Sequence, residues 1–357
     1  MTGEARVALT PEACKTLVDA GHDVYVQGSA GINSGYADID YQDSGATLVA
    51  SAQQLYEQAQ LIVKVKQPLE QDIRYLRDDH VLFSYLHLAA DLTLVKILCA
   101  IGLSAIPFES VTDDKGSLPL LAPMSQVAGR ISVMRGATLL FRNRGGRGVL
   151  LGGVDGTDAG RVVVLGAGVA GRHAVGVAVS LGARVDVLDL KENKLLSLKK
   201  QYPSIETHIF TPELVETLCI QADLVIGAVL LAGRRAPVVL KRSVIQQMNP
   251  GSVIIDIAID QGGCVEGIRA TSSEELYYMA NGVLHSAVPN MPAAVARTAS
   301  QSLSSAIMPY VLIIAGTGVT GLLQSRSDKG QRLHEAMAIH QGKVVDDVLI
   351  NEIKAIN

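Results

Sequence analysis

The chain has 357 residues, more than one hydrophobic core usually serves, and 48% of them are apolar against 18% charged. That balance excludes a disordered or fibrous chain, and a net charge of -4 without any basic block excludes an electrostatic nucleic-acid footprint. Cys14, Cys99, Cys219 and Cys264 are scattered without CxxC or ligand-like spacing, so neither a disulfide framework nor a metal site is expected, and a reducing cytoplasm is.

Glu4 and Arg6 interrupt the start of the chain before any apolar run, which predicts no secretory signal. Strand-like and helix-like runs then alternate. A helix near Pro11 to Ala20 precedes the strand His22-Asp-Val-Tyr-Val, and a helix from about Ala52 precedes Leu61-Ile-Val-Lys-Val-Lys. A second round follows, with Val81-Leu-Phe-Ser-Tyr, a helix around Asp91 to Ile101, and the strand Ser104-Ala-Ile-Pro. This is βαβ wiring and predicts a parallel sheet. Residues 122–140 are helical in pattern and are expected to bridge two domains, followed by a glycine-dense run from Gly145 to Gly156.

The stretch RVVVLGAGVAGRHAVGVAVSLGARVDVLDL, beginning at Arg161, carries the most information. It reads as an apolar strand, a glycine turn, a helix, and a second strand ending at Asp189. Gly166 permits the tight turn, Gly168 lets the backbone approach a pyrophosphate, and Gly171 lets the helix pack closely on the sheet. The helix N-terminus then faces the anion. A carboxylate at Asp189 accepts hydrogen bonds from ribose hydroxyls and repels a 2′-phosphate, which favours NAD over NADP, although Lys191 and Lys194 lie close in sequence. Two further apolar strands are expected at Ala222-Asp-Leu-Val-Ile-Gly-Ala and from Ser252 to Asp260, with Asp260 at the carboxyl end where the cofactor crevice should lie.

After Met291 the pattern becomes helical again. Residues 298–325 contain no charge and are long enough to span a bilayer, but their serines, Pro309 and three glycines predict a buried helix followed by a turn-rich end. The expected class is α/β, with two Rossmann-like doubly wound domains. The NAD-binding domain, residues 122–297, would be inserted within a substrate domain made of residues 1–121 and 298–357.

Hydride transfer beside a nicotinamide needs a cation for an anionic substrate, a proton donor or acceptor, and geometry that joins them. Lys64 and Lys66 alternate along one strand and so point to opposite faces, only one of which can serve a site. His87 lies between Leu86 and Leu88, company that suits a core histidine as well as an acid/base, and Arg6 suits a surface charge. Spacing alone leaves these residues open.

Longer motifs carry a resemblance over nearly the whole chain: Arg6-Val-Ala-Leu-Thr-Pro, Lys64-Val-Lys-Gln-Pro, Tyr85-Leu-His-Leu-Ala-Ala, Ser117-Leu-Pro-Leu-Leu-Ala-Pro-Met-Ser, Gly145-Gly-Arg-Gly-Val-Leu-Leu-Gly-Gly-Val, Asp256-Ile-Ala-Ile-Asp-Gln-Gly-Gly-Cys and Pro289-Asn-Met-Pro. In them the chain resembles the alanine dehydrogenases. The resemblance implies reversible oxidative deamination of L-alanine to pyruvate and ammonium with NAD, in a homohexamer built partly through the bridging helices, with no membrane or nucleic-acid partner. It further implies that Arg6 and Lys66 bind the substrate carboxylate and carbonyl, that His87 is the acid/base, and that Asp260 assists proton transfer. Cofactor contacts are implied at Ser125, Gly166, Gly168, Val169, Gly171, Asp189, Lys194, Val229, Leu230, Ile257, Asp260, Arg269, Val288, Asn290 and Met291. No metal site is implied. Members of that family usually open with a further strand and loop before the segment that begins here at Thr2, so an open sheet edge and a loose Arg6 are expected, with impaired turnover as one alternative. The other is an NAD-binding subunit of the transhydrogenase type, against which His87 argues.

Overall fold

The computed structural model describes residues 4–229, 235–272 and 274–356. Packing divides the chain into two units, Met1–Met124 with Ala293–Asn357, and Ser125–Pro292.

In the first unit, the helix Pro11–Asp19 starts where Thr10 caps it, its hydroxyl accepting from the Ala13 N–H at 3.5 Å with Pro11 next in line. β1 (Tyr25–Gln27) pairs in parallel with β2 (Thr47–Val49), a strand the sequence pattern does not reveal. The two form a separate two-stranded sheet over a small core of Cys14, Tyr36, Tyr41 and Ala46, so the strand after His22 does not join the main sheet as expected. That main sheet takes β3 (Leu61–Val63), β4 (Val81–Ser84) and β5 (Ser104–Pro107), all parallel. The returning chain adds the antiparallel hairpin Ile339–His340 and Lys343–Val344 at the β5 edge. β4 and β5 are buried along their whole length, which is why they read as continuous apolar runs rather than alternating ones.

The helix Ala296–Leu323 is long and apolar enough to cross a membrane by length and composition. Its Leu303, Ile307, Val311 and Ile314 pack instead with Phe83, Ile106, Phe108 and Leu120 in the core of the first unit. The break expected towards its end falls at Gly318, where φ is 61°.

The second unit follows a doubly wound order. Its strands are β6 (Arg161–Leu165), β7 (Arg184–Asp189), β8 (Glu206–Ile209), β9 (Leu224–Gly227), β10 (Val253–Asp256), β11 (Tyr278–Ala280) and β12 (Val283–Ser286). They lie in the order β11-β12-β10-β9-β6-β7-β8, with only β11 antiparallel. The strand order therefore reverses between β6 and β9, which run parallel, so the carboxyl ends of those two strands form the topological switch point where such sheets hold ligands. Strand β10 stops four residues before the expected end at Asp260. The Asp256 carboxylate accepts from the Ala258 N–H at 2.9 Å, which turns Ile257–Gln261 into a 3-10 helix.

Candidate active site

Gly166, at φ 108°, closes the turn after β6, and a Cβ there would meet the Ala228 carbonyl oxygen at 2.6 Å. A Cβ on Gly171 would sit 1.8 Å from the Gly166 carbonyl oxygen, so the helix can approach the turn only without a side chain at that position. Gly168 is different. Nothing lies within 4 Å of a Cβ built there, and it caps the helix Val169–Ser180 without any side-chain hydrogen bond. The first N–H groups of that helix are thus presented to open space, with the half-charge of the helix dipole behind them. Val169, at the first helical position, is 40% exposed beside them.

Asp189 ends β7 with its carboxylate almost enclosed. Its Oδ2 accepts from the Ala167 N–H at 2.8 Å, its Oδ1 from the Lys191 N–H at 2.9 Å, and Lys194 Nζ stands 3.6 Å from Oδ2. One carboxylate therefore ties the glycine turn to the end of the neighbouring strand while keeping lone pairs for a ligand hydroxyl.

At the end of β10, Asp256 is fully buried. Besides Ala258, it accepts from the Cys264 N–H at 2.8 Å, the Val265 N–H at 3.1 Å and the Cys264 thiol at 3.5 Å. Burial pushes its carboxyl above the ordinary range despite these donors, and burial first, then Asp256, pushes the Cys264 thiol up. Asp256 thus fixes the loop that presents Ile257, half-buried, and Asp260, exposed. Asp260 in turn accepts from the Asn290 N–H at 3.2 and 3.4 Å, which joins the ends of β10 and β12. Asn290 has φ 54°, Val288 is half-buried, and Met291 is buried in the core of the second unit. Ser125 is half-buried in the helix Ala122–Leu139, and Val229 is half-buried beyond β9. Leu230 lies outside the described residues. Arg269 is turned elsewhere, forked onto Glu275 at 2.7 and 3.1 Å and stacked over the Tyr278 ring at 4.1 Å.

In the first unit Arg6 is 7% exposed rather than loose. Its guanidinium meets Glu4 at 2.6 and 2.8 Å and the Met124 sulfur at 3.0 Å, and the adjacent Val7 N–H donates to Ser300 Oγ at 3.0 Å. The two lysines separate cleanly. Lys64 forms an ion pair at 2.8 Å with the buried carboxylate of Asp72, whereas half-buried Lys66 has no ion pair or hydrogen bond from its ammonium among the described residues.

His87 lies three residues beyond the end of β4, at φ 49° and ψ 40°, with its side chain 43% exposed. Glu109, from the turn after β5, accepts from the His87 N–H at 2.5 Å and the Leu86 N–H at 3.1 Å. The Tyr85 ring lies nearly parallel to the imidazole, 6.3 Å away. Sequence reading missed both carboxylates that hold these loops. Asp256 carried a signal, since an acid closing a wholly apolar strand must find hydrogen-bond donors. Glu109 carried none, being joined to His87 only through the pairing of β4 with β5.

Among the described residues no cluster of three or more His, Cys, Asp or Glu side chains is placed to hold a metal ion. Profiles of the alanine dehydrogenase/PNT N-terminal and C-terminal domains match residues 1–128 and 132–347. The chain is 43% identical over 342 residues to an alanine dehydrogenase of Halomonas elongata, which covers 96% of this chain and 91% of that protein. Among solved structures it is similar to an L-alanine dehydrogenase with a TM-score of 0.94 and 42% identity, covering 100% of this chain and 97% of that one. Its similarity to a transhydrogenase from Sinorhizobium meliloti is weaker, with a TM-score of 0.82 and 25% identity over 98% of this chain and 97% of that one.

Proposed function

The chain belongs to the alanine dehydrogenase family, and from that premise we propose that it interconverts L-alanine with pyruvate and ammonium, using NAD. The second unit fits a dinucleotide on its own geometry. The open space at Gly168 over an uncapped helix N-terminus suits a pyrophosphate, and the remaining lone pairs of Asp189 suit a ribose diol. The negative charge of Asp189 disfavours a 2′-phosphate, which makes NAD the cofactor of choice over NADP. Ser125, Val169, Lys194, Val229, Ile257, Asn290 and Met291 are the further contacts in this reading, whereas Arg269 would have to leave Glu275 to join them. The bound dinucleotide supplies the hydride acceptor for alanine and the hydride donor for the reverse reaction.

Every other task falls to side chains. The Arg6 guanidinium takes the substrate carboxylate in a two-pronged contact, for which it must exchange Glu4. Lys66 places its ammonium against the carbonyl or imine and draws electron density from the reacting carbon. His87 accepts the substrate's proton as oxidation proceeds and returns it in reduction, a task for which a partly exposed imidazole is chemically suited. Asp260 orients the water that enters, or the ammonia that leaves, through its free lone pairs. The observation that carries the reading is the exposed imidazole of His87, on a backbone held by Glu109, in the unit that also holds Arg6 and Lys66, whose ammonium has no ion pair or hydrogen bond among the described residues.

The four cysteines are free thiols, in keeping with a reducing cytoplasm. This reading takes the chain to act as a homohexamer, as its family resemblance implies. The deciding experiment is NADH formation by the purified chain with NAD and L-alanine at alkaline pH, beside D-alanine and L-serine. Turnover specific to L-alanine is expected. A chain that binds NAD yet gives no alanine-dependent NADH overturns the proposal.

A further inference from the structure

We propose that Glu109 is the positioning partner of His87, selecting its tautomer and stabilising the imidazolium that forms when it takes the substrate's proton. This rests on the reading of His87 as the acid/base.

His87 is held in a backbone region, φ 49°, that a non-glycine residue enters only at an energetic cost. Ser29, Asn281, Asn290 and Gln341 share that region, and in each case the surrounding structure must hold the backbone in place. At His87 the conformation is maintained because Glu109 Oε1 accepts two successive N–H groups, from Leu86 at 3.1 Å and from His87 at 2.5 Å. Oε2 adds only a longer contact, 3.3 Å to the Leu86 N–H. The same Oε1 stands 3.8 Å from His87 Nδ1. That is beyond a hydrogen bond, yet a small rotation of the ring closes it, and such bonds commonly tighten when substrate arrives. The Tyr85 ring lies nearly parallel to the imidazole at 6.3 Å, and its own hydroxyl is fixed by donation to the Leu120 carbonyl at 2.5 Å.

A carboxylate facing Nδ1 favours the proton on that nitrogen and leaves Nε2 with its lone pair. In oxidation the proton passes from the substrate's heteroatom to Nε2, and the resulting imidazolium then faces a fixed negative charge. In reduction the same proton returns. The arrangement follows the rule that a base is oriented by a third group, assembled here from the ends of two adjacent parallel strands.

Glu109→Gln separates this role from backbone clamping. Its carbonyl oxygen can occupy the Oε1 position and still accept both N–H groups, so only the charge is lost. The expected result is a fall in kcat of about tenfold to hundredfold, the worth of a charge-assisted hydrogen bond, with KM for alanine and NAD affinity nearly unchanged. Carbethoxylation of His87 by diethyl pyrocarbonate, followed by peptide mass spectrometry, should slow several-fold in the same variant, because Nε2 is then a poorer nucleophile. Glu109→Asp, which keeps the charge, should exceed Gln in both measurements. Wild-type kcat in the Gln variant, equal carbethoxylation rates, or an Asp variant no better than Gln would overturn the proposal. If the wild-type chain shows no alanine turnover, or His87→Ala retains it, the proposed reaction fails. The carbethoxylation comparison needs no turnover and still decides for or against Glu109.

Discussion

The turn at Gly166 and the turn at His87 both lie beyond the carboxyl end of a parallel strand, and they are held by opposite means. The glycine turn is defined by what is missing: a Cβ at Gly171 would overlap the Gly166 carbonyl oxygen at 1.8 Å, and open space remains at Gly168. The histidine turn is defined by what reaches it, the Glu109 carboxylate anchored beyond β5. Steric exclusion is local and tolerates no substitution. A carboxylate clamp is long-range, and its charge can do chemistry as well as hold backbone. Glycines shape the seat proposed for a ligand's phosphates, whereas the histidine proposed for proton transfer sits on a charged support.

The largest break in this comparison should come from Gly171→Ala. The added methyl has nowhere to go, since its obstacle is backbone, so the helix must move off the turn. Destabilisation of about 1–3 kcal/mol or more is expected, together with loss of measurable NAD binding by fluorescence titration. A stable variant with intact NAD affinity would show that the turn yields more easily than its geometry implies. On the other side, His87→Ala removes no packing of consequence from a side chain 43% exposed. It should lower kcat by about a hundredfold or more, within the range for general acid/base catalysis, while leaving the melting temperature and NAD affinity near wild type. Parallel loss of NAD binding would remove His87 from its catalytic role.

Legibility in sequence follows the same division. The second unit was readable because fully buried parallel strands such as Val162-Val163-Val164-Leu165 are continuous apolar runs, and because its phosphate turn is encoded in adjacent residues. The strand ending β10 was read too long, since Ile257-Ala258-Ile259 is as apolar as the strand before it and only the hydrogen bond from Ala258 to Asp256 reveals the turn. β2 was missed because three residues, none of them buried, offer no periodicity. Lys64 and Lys66 could be told apart only by tertiary partners, as the sequence cannot show that Asp72 reaches the first and not the second. Glu109 was invisible for the same reason, 22 positions from the histidine it holds.

Asp189 sharpens the comparison, because there a carboxylate supports the glycine turn as Glu109 supports His87. Asp189→Ala removes acceptors for the Ala167 and Lys191 N–H groups along with the proposed ribose contact. NAD affinity should fall by about tenfold to a hundredfold, and discrimination against NADP should relax, most clearly measured as the ratio of the two dissociation constants. An unchanged ratio would confine Asp189 to supporting the loop.

The smallest expected effect distinguishes the two units by pH. Burial lowers the pKa of His80 in the first unit and of His173 and His285 in the second, with nearby arginines adding to the effect at His80 and His173. Each folded pKa therefore lies below the unfolded value of about 6.5, and in that interval the unfolded chain binds more protons. The stability these groups contribute is complete above the unfolded pKa and is lost as pH falls through about 6.5 towards the folded values. The slope for each histidine can reach at most about 1.4 kcal/mol per pH unit. With two such groups against one, the second unit should lose protection sooner on acidification, and hydrogen exchange read by peptide can follow the units separately. His285 is 4% exposed, with its Nδ1 3.0 Å from the Val283 carbonyl oxygen, so His285→Asn should flatten the acid dependence of the second unit alone. An equal flattening in both units would mean that the two units lose protection together, through global unfolding, and overturn their separate acid response.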